Sequence, residues 1–166
     1  MAALTQARLQ ELLDYDPQTG AFTWRADAGR FGRIKAGSRA GGLDKTTGYM
    51  QLRVDGERYL QHRLAVLHVT GQWPSNDVDH IDCVRTNNRW TNLRDVPRQV
   101  NAQNIRRPHR DNKTGHLGVR RSAHGRFLAE LFVNGANRHL GCFDTPDGAH
   151  QEYLRQKRMH HTGSTL

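Results

Sequence analysis

The sequence predicts an α+β protein built from small modules, and three observations carry that prediction. Apolar residues fill only 36% of the 166 positions and the mean hydropathy is −0.82, which is thin for one generous core. Segments that alternate with period two, such as GYMQLRVDGERYL, are interleaved with segments of helical period. The last third changes pattern, offering three short strands and then one helix.

In chain order, residues 5–15 read as a helix, with Thr5 as N-cap, Leu4 and Leu9 placed for a hydrophobic staple, and Leu9, Leu12 and Leu13 on one face. DPQTG (Asp16–Gly20) is a turn and AFTW a short strand. Residues 26–42, rich in Gly and Arg with little periodicity, predict a surface loop that could touch a phosphate backbone or serve as a connector. GYMQLRVDGERYL sets Met50, Leu52 and Val54 against Tyr49, Gln51 and Arg53 and turns at Asp55-Gly56, a hairpin signal. QHRLAVLHVTGQWP then carries Leu64, Leu67 and His68 at helical spacing and stops at Gly71 and Pro74. His62 and Arg63 open that helix, where an anion would be favoured.

Residues 78–104, VDHIDCVRTNNRWTNLRDVPRQVNAQN, read as strand, polar loop, strand and a helix opening at Pro97. Residues 108–114 read as a linker. Strands at about 117–122, 126–133 and 137–143 follow, joined by turns at HG and NG, and then a helix with Thr145 as N-cap and Pro146 in its first turn.

Charge points to a polyanionic partner. The chain has 25 Lys+Arg against 16 Asp+Glu, a net +9, and 21 of the 25 are Arg, whose planar fork suits phosphate and guanine edges. Residues 98–126 hold eight cations and only Asp111 as an acid, an electrostatic footprint for nucleic acid. Cys83 and Cys142 stand 59 positions apart with no CxxC, so a zinc ribbon is excluded by count. With no apolar segment fit for a signal peptide or membrane span, the expectation is a cytoplasmic protein with reduced thiols.

Phosphodiester hydrolysis needs an activated water, a Lewis acid for the charge on phosphate, and help for the leaving oxygen. Asp79 offers a hard anionic oxygen and Asn101 a neutral amide oxygen, a donor pair suited to one Mg2+ or Mn2+ ion and not to zinc. His80 is a residue type able to take a proton from water near neutral pH. Consecutive strand residues point to opposite faces, so Asp79 and His80 serve one phosphate only where the strand ends or kinks, or where the phosphate lies across its end. By composition alone the stretch reads as a polar hairpin loop, since asparagines crowd into turns.

Asp79-His80, Asn92 twelve residues after His80 and Asn101 nine residues later, with the flanking HRLAVLHVTGQWPSNDVDHID, NNRWTNLRDV and NAQN, resemble the HNH endonuclease family in its His-Asn-Asn, phage and intron homing-endonuclease form, over most of residues 48–104. The resemblance implies a ββα-metal (His-Me finger) core, with Asp79 and Asn101 on the metal, His80 as general base, and Asn92 bracing the loop. Asn88 and Asn104 fall on frequently polar family positions with structural roles. Cys83 stands where the pattern often has Gly, which tolerates a positive φ as Cys does not.

GVRR, GRFLAEL, HLGCFDT and the helix after them, about residues 112–157, resemble the APETALA-type, ethylene-response-factor DNA-binding domain, a three-stranded antiparallel sheet packed on one helix. That resemblance implies DNA-reading roles for Arg120, Phe127 and Glu130; charge and strand position add Arg121, Arg126 and Arg138. Phe132 and His139 depart from the Arg and Trp common at those family positions, so base preference does not transfer. Arg98, Arg106, Arg107 and Arg110 are expected to follow the phosphate backbone.

The expected protein is a two-module DNA endonuclease of phage or mobile-element type, located in the host cytoplasm if phage-encoded. Residues 1–75 form the N-terminal helix and hairpin region, 76–107 the ββα motif, 108–114 the linker and 115–160 the DNA-binding module. Its partner is double-stranded DNA, and a monomer would nick, with double-strand cleavage needing a dimer or two events. The alternatives are a non-catalytic, sequence-specific DNA-binding protein on the same scaffold, and a nuclease for RNA or structured DNA.

Overall fold

The computed structural model describes residues 4–29, 31 and 33–165. They fall into two compact units, Met1–Pro97 and Arg98–Leu166.

The first unit opens with α1 (Gln6–Leu12), capped by the Thr5 hydroxyl, which accepts from the Arg8 N–H at 3.2 Å; Leu4 and Leu9, the staple pair, are both buried. The helix stops short of the expected residue 15. Leu13–Asp16 forms β1, antiparallel to β2 (Ala21–Trp24), because Leu13 and Tyr15 are buried while Asp14 and Asp16 are exposed, a period of two that a helix cannot satisfy. Between them the Asp16 carboxylate accepts from the Gln18 N–H at 2.8 Å and the Thr19 hydroxyl at 2.7 Å, an Asx-type turn.

The expected loop at 26–42 is more ordered than its composition suggests. It carries the antiparallel bridges Ala28↔Ile34 and Thr23↔Arg39 and runs into β3 (Gly42–Leu43). That strand joins β4 (Met50–Val54) and β5 (Glu57–Leu60) in the order β3-β4-β5. The β4–β5 turn uses Asp55 and Gly56 at φ 48° and 89°, the left-handed pair of a type I′ hairpin. Helix α2 (Gln61–Thr70) follows at once and ends on Gly71 at φ 78°, whose N–H donates to Leu67 O. Strands β6 (Asp77–His80) and β7 (Leu93–Val96) pair antiparallel with Asp79 opposite Arg94 and His80 opposite Leu93. The core of this unit joins Leu9, Leu13, Phe22, Leu52, Leu64 and Leu67 to Val78 and Leu93, so helices and hairpins that precede β6 form its support.

The second unit contains α3 (Arg98–Gln103), the sheet β8 (Val119–Arg121), β9 (Phe127–Val133) and β10 (Ala136–Phe143) in the order β10-β9-β8, and α4 (Pro146–His160). Val119, Ala129 and Leu131 form one sheet face and pack on Ala149 and Tyr153 of α4. The division into compact units falls between Pro97 and Arg98. Bonds from Gly163 N to Gln103 Oε1 (2.9 Å), Thr165 Oγ1 to Asn104 Oδ1 (2.7 Å) and Lys157 Nζ to Ile105 O (2.5 Å) tie α3 and its exit to the C-terminal residues. Among the described residues no helix is long and apolar enough to cross a membrane.

Candidate active site and nucleic-acid surfaces

The strand β6 ends on His80, and this resolves how two consecutive residues are presented. Asp79 lies on the face of its cross-strand partner: Arg94 donates from Nε (2.9 Å) and Nη2 (2.7 Å) to the single oxygen Oδ2. His80 turns to the other face, where its Nε2 lies 2.9 Å from Asn88 Oδ1 and its ring meets His62 edge-on at 5.0 Å and Tyr49 at 5.9 Å between centroids. Both residues are buried. An amide oxygen accepts only from a protonated nitrogen, so in this contact Nε2 is the donor and Asn88 Oδ1 the acceptor.

Asn88 is itself fixed from behind. The Tyr15 hydroxyl donates to its carbonyl at 2.7 Å, and Trp90 N donates to Pro17 O at 3.0 Å. Gly20, at φ +73°, sits so close that a Cβ there would come within 2.3 Å of the Asn88 carbonyl carbon. The β1–β2 turn thus closes against the segment that orients His80, and burial pushes the Tyr15 hydroxyl up to about 12, keeping it a donor.

The loop between β6 and β7 is held by Asp82 and Asn92. Asp82 Oδ1 accepts from Val84 N–H (2.8 Å) and Asn92 Nδ2 (2.9 Å), Oδ2 accepts from Asn87 Nδ2 (2.6 Å), and Asp82 N–H donates to Asn92 Oδ1 (3.0 Å). Burial opposes ionisation of Asp82, but the bonds from Asn87, Val84 and Asn92 outweigh it and hold the carboxyl below its ordinary pKa. Asn92, grouped with His80 as a catalytic residue in the sequence pattern and expected there to brace the loop, contacts only loop groups in these bonds. Cys83 adopts φ 63°, the left-handed geometry that its place in the pattern led one to expect of Gly.

His62, at the helix start where an anion would be favoured, lies inside the fold. It is 4% exposed, packs on Tyr49 and His80, and has a buried Nδ1 with no hydrogen-bond partner. Burial, then the proximity of His80 and Arg63, pulls its pKa down to about 3, so it is a neutral ring. Arg63 is likewise engaged with protein, donating to Asn76 O at 3.1 Å and Pro74 O at 3.2 Å. Sequence reasoning missed Arg94, Tyr15 and Gly20, whose roles depend on strand register and on contacts made across 15 to 73 positions.

Asn101 lies on α3, in the second unit, while Asp79, His80, Asn88 and Asn92 lie in the first. Arg98, Arg106, Arg107 and Arg110 are exposed in the second unit, and Arg106 bonds the Thr165 hydroxyl. On the face of β8–β10 away from α4, Arg120 donates to Glu130 at 2.8 and 2.9 Å, and Glu130 pairs in register with His139; the Arg120 hydrogen bond holds the Glu130 carboxyl below its usual range. Phe132, 59% exposed, shares this face. Phe127 does not: two residues from Ala129 on the same strand, it packs with the α4-side core, because the strand alternates and Ala129 and Leu131 point inward. Arg121 stacks over it at 6.0 Å. Arg126 pairs with Asp144 at 2.8 Å and bonds Cys142 O, and Arg138 lies opposite inward Leu131, with Nη1 3.4 Å from His160 Nε2.

Among the described residues no group of three or more His, Cys, Asp or Glu side chains could form a protein-only metal cage. Magnesium does not need one. It binds through one or two carboxylates and keeps water and substrate phosphate; Asp79 is a hard carboxylate, here held by Arg94.

A family model for HNH endonucleases matches residues 59–103, a segment that begins at Tyr59 and includes α2, β6, β7 and α3. A comparison with curated proteins found no match. Among solved structures, one described as DNA binding and cleavage by the HNH homing endonuclease I-HmuI is similar at 19% identity with a TM-score of 0.42, over 92% of this chain and 88% of that one.

Proposed function

We propose that this protein is a divalent-metal-dependent DNA endonuclease, with His80 as general base. One observation carries the reading: the His80 imidazole, at the end of β6, is oriented by Asn88 through Nε2 and lies one residue from the buried Asp79 carboxylate. The family match over residues 59–103, which contains both, and the arginine-rich composition support it.

His80 Nδ1 takes the proton of the attacking water while the Nε2–H stays on the ring, hydrogen-bonded to Asn88 Oδ1, which holds the imidazole in place as it becomes imidazolium. Asp79, with Asn101 as the second ligand implied by the sequence pattern, would hold one Mg2+ or Mn2+ ion. Such an ion, when bound, supplies charge neutralisation for the phosphoryl oxygens and the departing 3′ oxygen. Arg94 balances the Asp79 charge and would place a cation near a phosphate approaching that carboxylate. The outer face of β8–β10, with Arg120, His139 and Phe132, is the DNA-contacting face of an APETALA-like module in this reading, and the exposed arginines 98–110 add salt-dependent affinity.

The test is supercoiled plasmid incubated with wild type and His80→Ala in magnesium, in manganese and in chelator. Nicked circle should form with either metal, vanish with chelator, and be lost in the variant while plasmid binding persists. A mobility shift without cleavage under any metal would replace this reading by that of a non-catalytic DNA-binding protein.

A further inference from the structure

A second site lies in the first unit, apart from the His80 cluster and sharing no lining residue with it. It is a cavity of about 520 Å³ walled by Arg33, Lys35, Arg39 and Arg53, with Trp24 and Ile34 as apolar surface. Among the described residues no carboxylate lines it. Lys35 is neutralised by Asp27 at 2.7 Å, but among the described residues none of the three arginines takes part in an ion pair.

The cavity is built by main-chain geometry. Trp24 N donates to Ser38 O (3.0 Å), Gly37 N to Trp24 O (2.7 Å) and Ala40 N to Phe22 O (2.7 Å), which lays residues 37–40 along β2, while Ala28 and Ile34 exchange bonds of 2.9 and 3.0 Å. Gly41, at φ +80°, lets that segment meet β4: a Cβ there would stand 2.2 Å from Gln51 O. Arg39 and Arg53 are thereby brought to one wall. Arg53 is also directly opposite Arg58 in the β4–β5 register, both exposed, and like charges placed opposite on a sheet repel. Arg53 thus faces a further cation across the hairpin and lines the same cavity as Arg33 and Arg39, an arrangement that a bound anion would favour.

We propose that this cavity binds a backbone phosphodiester of the substrate DNA, with the adjoining sugar against Trp24 and Ile34. The proposal rests on the nucleic-acid reading above and adds an anchor that holds the strand away from the bond being cut. Arginine forks donate two parallel bonds to phosphate oxygens, and a contact of this kind carries affinity without base information.

The experiment is equilibrium binding of the full chain to a short fluorescent duplex in chelator, where no cleavage occurs, across a series of salt concentrations. The comparison is wild type, Arg39→Gln/Arg53→Gln, and Arg155→Gln/Arg158→Gln as a charge-matched control at exposed positions on α4, with circular dichroism to confirm each fold. Loss of one phosphate contact should lower the slope of log affinity against log salt by about 1 and weaken binding roughly tenfold, equally for unrelated duplex sequences; the control should match wild type. A double variant with unchanged slope and affinity overturns the anchor while leaving the endonuclease reading intact. Wild type that binds no duplex at low salt overturns both.

Discussion

The neutral, buried His62 makes a quantitative prediction about stability against pH. Its folded pKa is about 3 against about 6.5 in an unfolded chain. Above pH 6.5 neither state binds the proton and the residue contributes no pH dependence. Below 6.5 the unfolded chain takes up the proton and the folded one does not, so stability falls with pH until about pH 3. At about 1.4 kcal/mol per pH unit, the loss reaches about 2 kcal/mol at pH 5. His62→Phe keeps a planar ring against Tyr49 and His80, removes the titrating group, and removes the buried Nδ1 that has no partner, whose desolvation costs about 1–3 kcal/mol. Urea unfolding followed by tryptophan emission reads the relevant unit, because Trp24, Trp73 and Trp90 all lie in the first. Wild type should lose about 2 kcal/mol more than the variant between pH 7.5 and pH 5. Parallel losses in the two proteins would show that His62 is not held neutral by this packing.

Two further outcomes follow from the loop around the site. Asn88→Ala removes the acceptor that orients His80, so the plasmid nicking rate should fall about tenfold or more while duplex affinity, measured in chelator, stays at the wild-type value. Cys83→Gly relieves a left-handed residue that costs about 1–2 kcal/mol for a side chain with a Cβ, against about 0.5–1 kcal/mol of added unfolded-chain entropy; the urea midpoint of the first unit should rise slightly, and Cys83→Val should lower it.

What the sequence made legible was what short-range chemistry decides. The β4–β5 hairpin follows from alternation and from Asp55-Gly56, the end of α2 from Gly71, and the start of α4 from Thr145, whose hydroxyl accepts from Gly148 N–H at 3.1 Å. The N-terminal helix ran too long in the sequence reading because Leu12 and Leu13 satisfy a helical face as well as they satisfy a strand. The partner that decides between them, β2, is known only once the chain has turned at Gly20. The face that Phe127 takes is hidden from the sequence for a related reason: a three-stranded sheet has two faces, and the choice rests on which alternate set meets α4.

The site itself shows a similar division. Residue types near Asp79 and His80 could be picked out because their chemistry is distinctive, but the groups that make them usable are contributed by distant segments through backbone atoms. Tyr15 reaches the Asn88 carbonyl, Gly20 permits the turn to approach it, and Asn88 then sets the His80 ring. Any side chain at 20 would meet main chain, and any residue at 88 would offer the carbonyl that Tyr15 needs, so only the Asn88 amide leaves a mark in the sequence. The strand constraint that made Asp79 and His80 an awkward pair is met by division of labour, not by distortion: regular alternation sends the carboxylate to Arg94 and the imidazole to Asn88. A phosphate served by both must therefore approach the end of β6, where the strand stops at His80 and the two faces are joined by a single residue step.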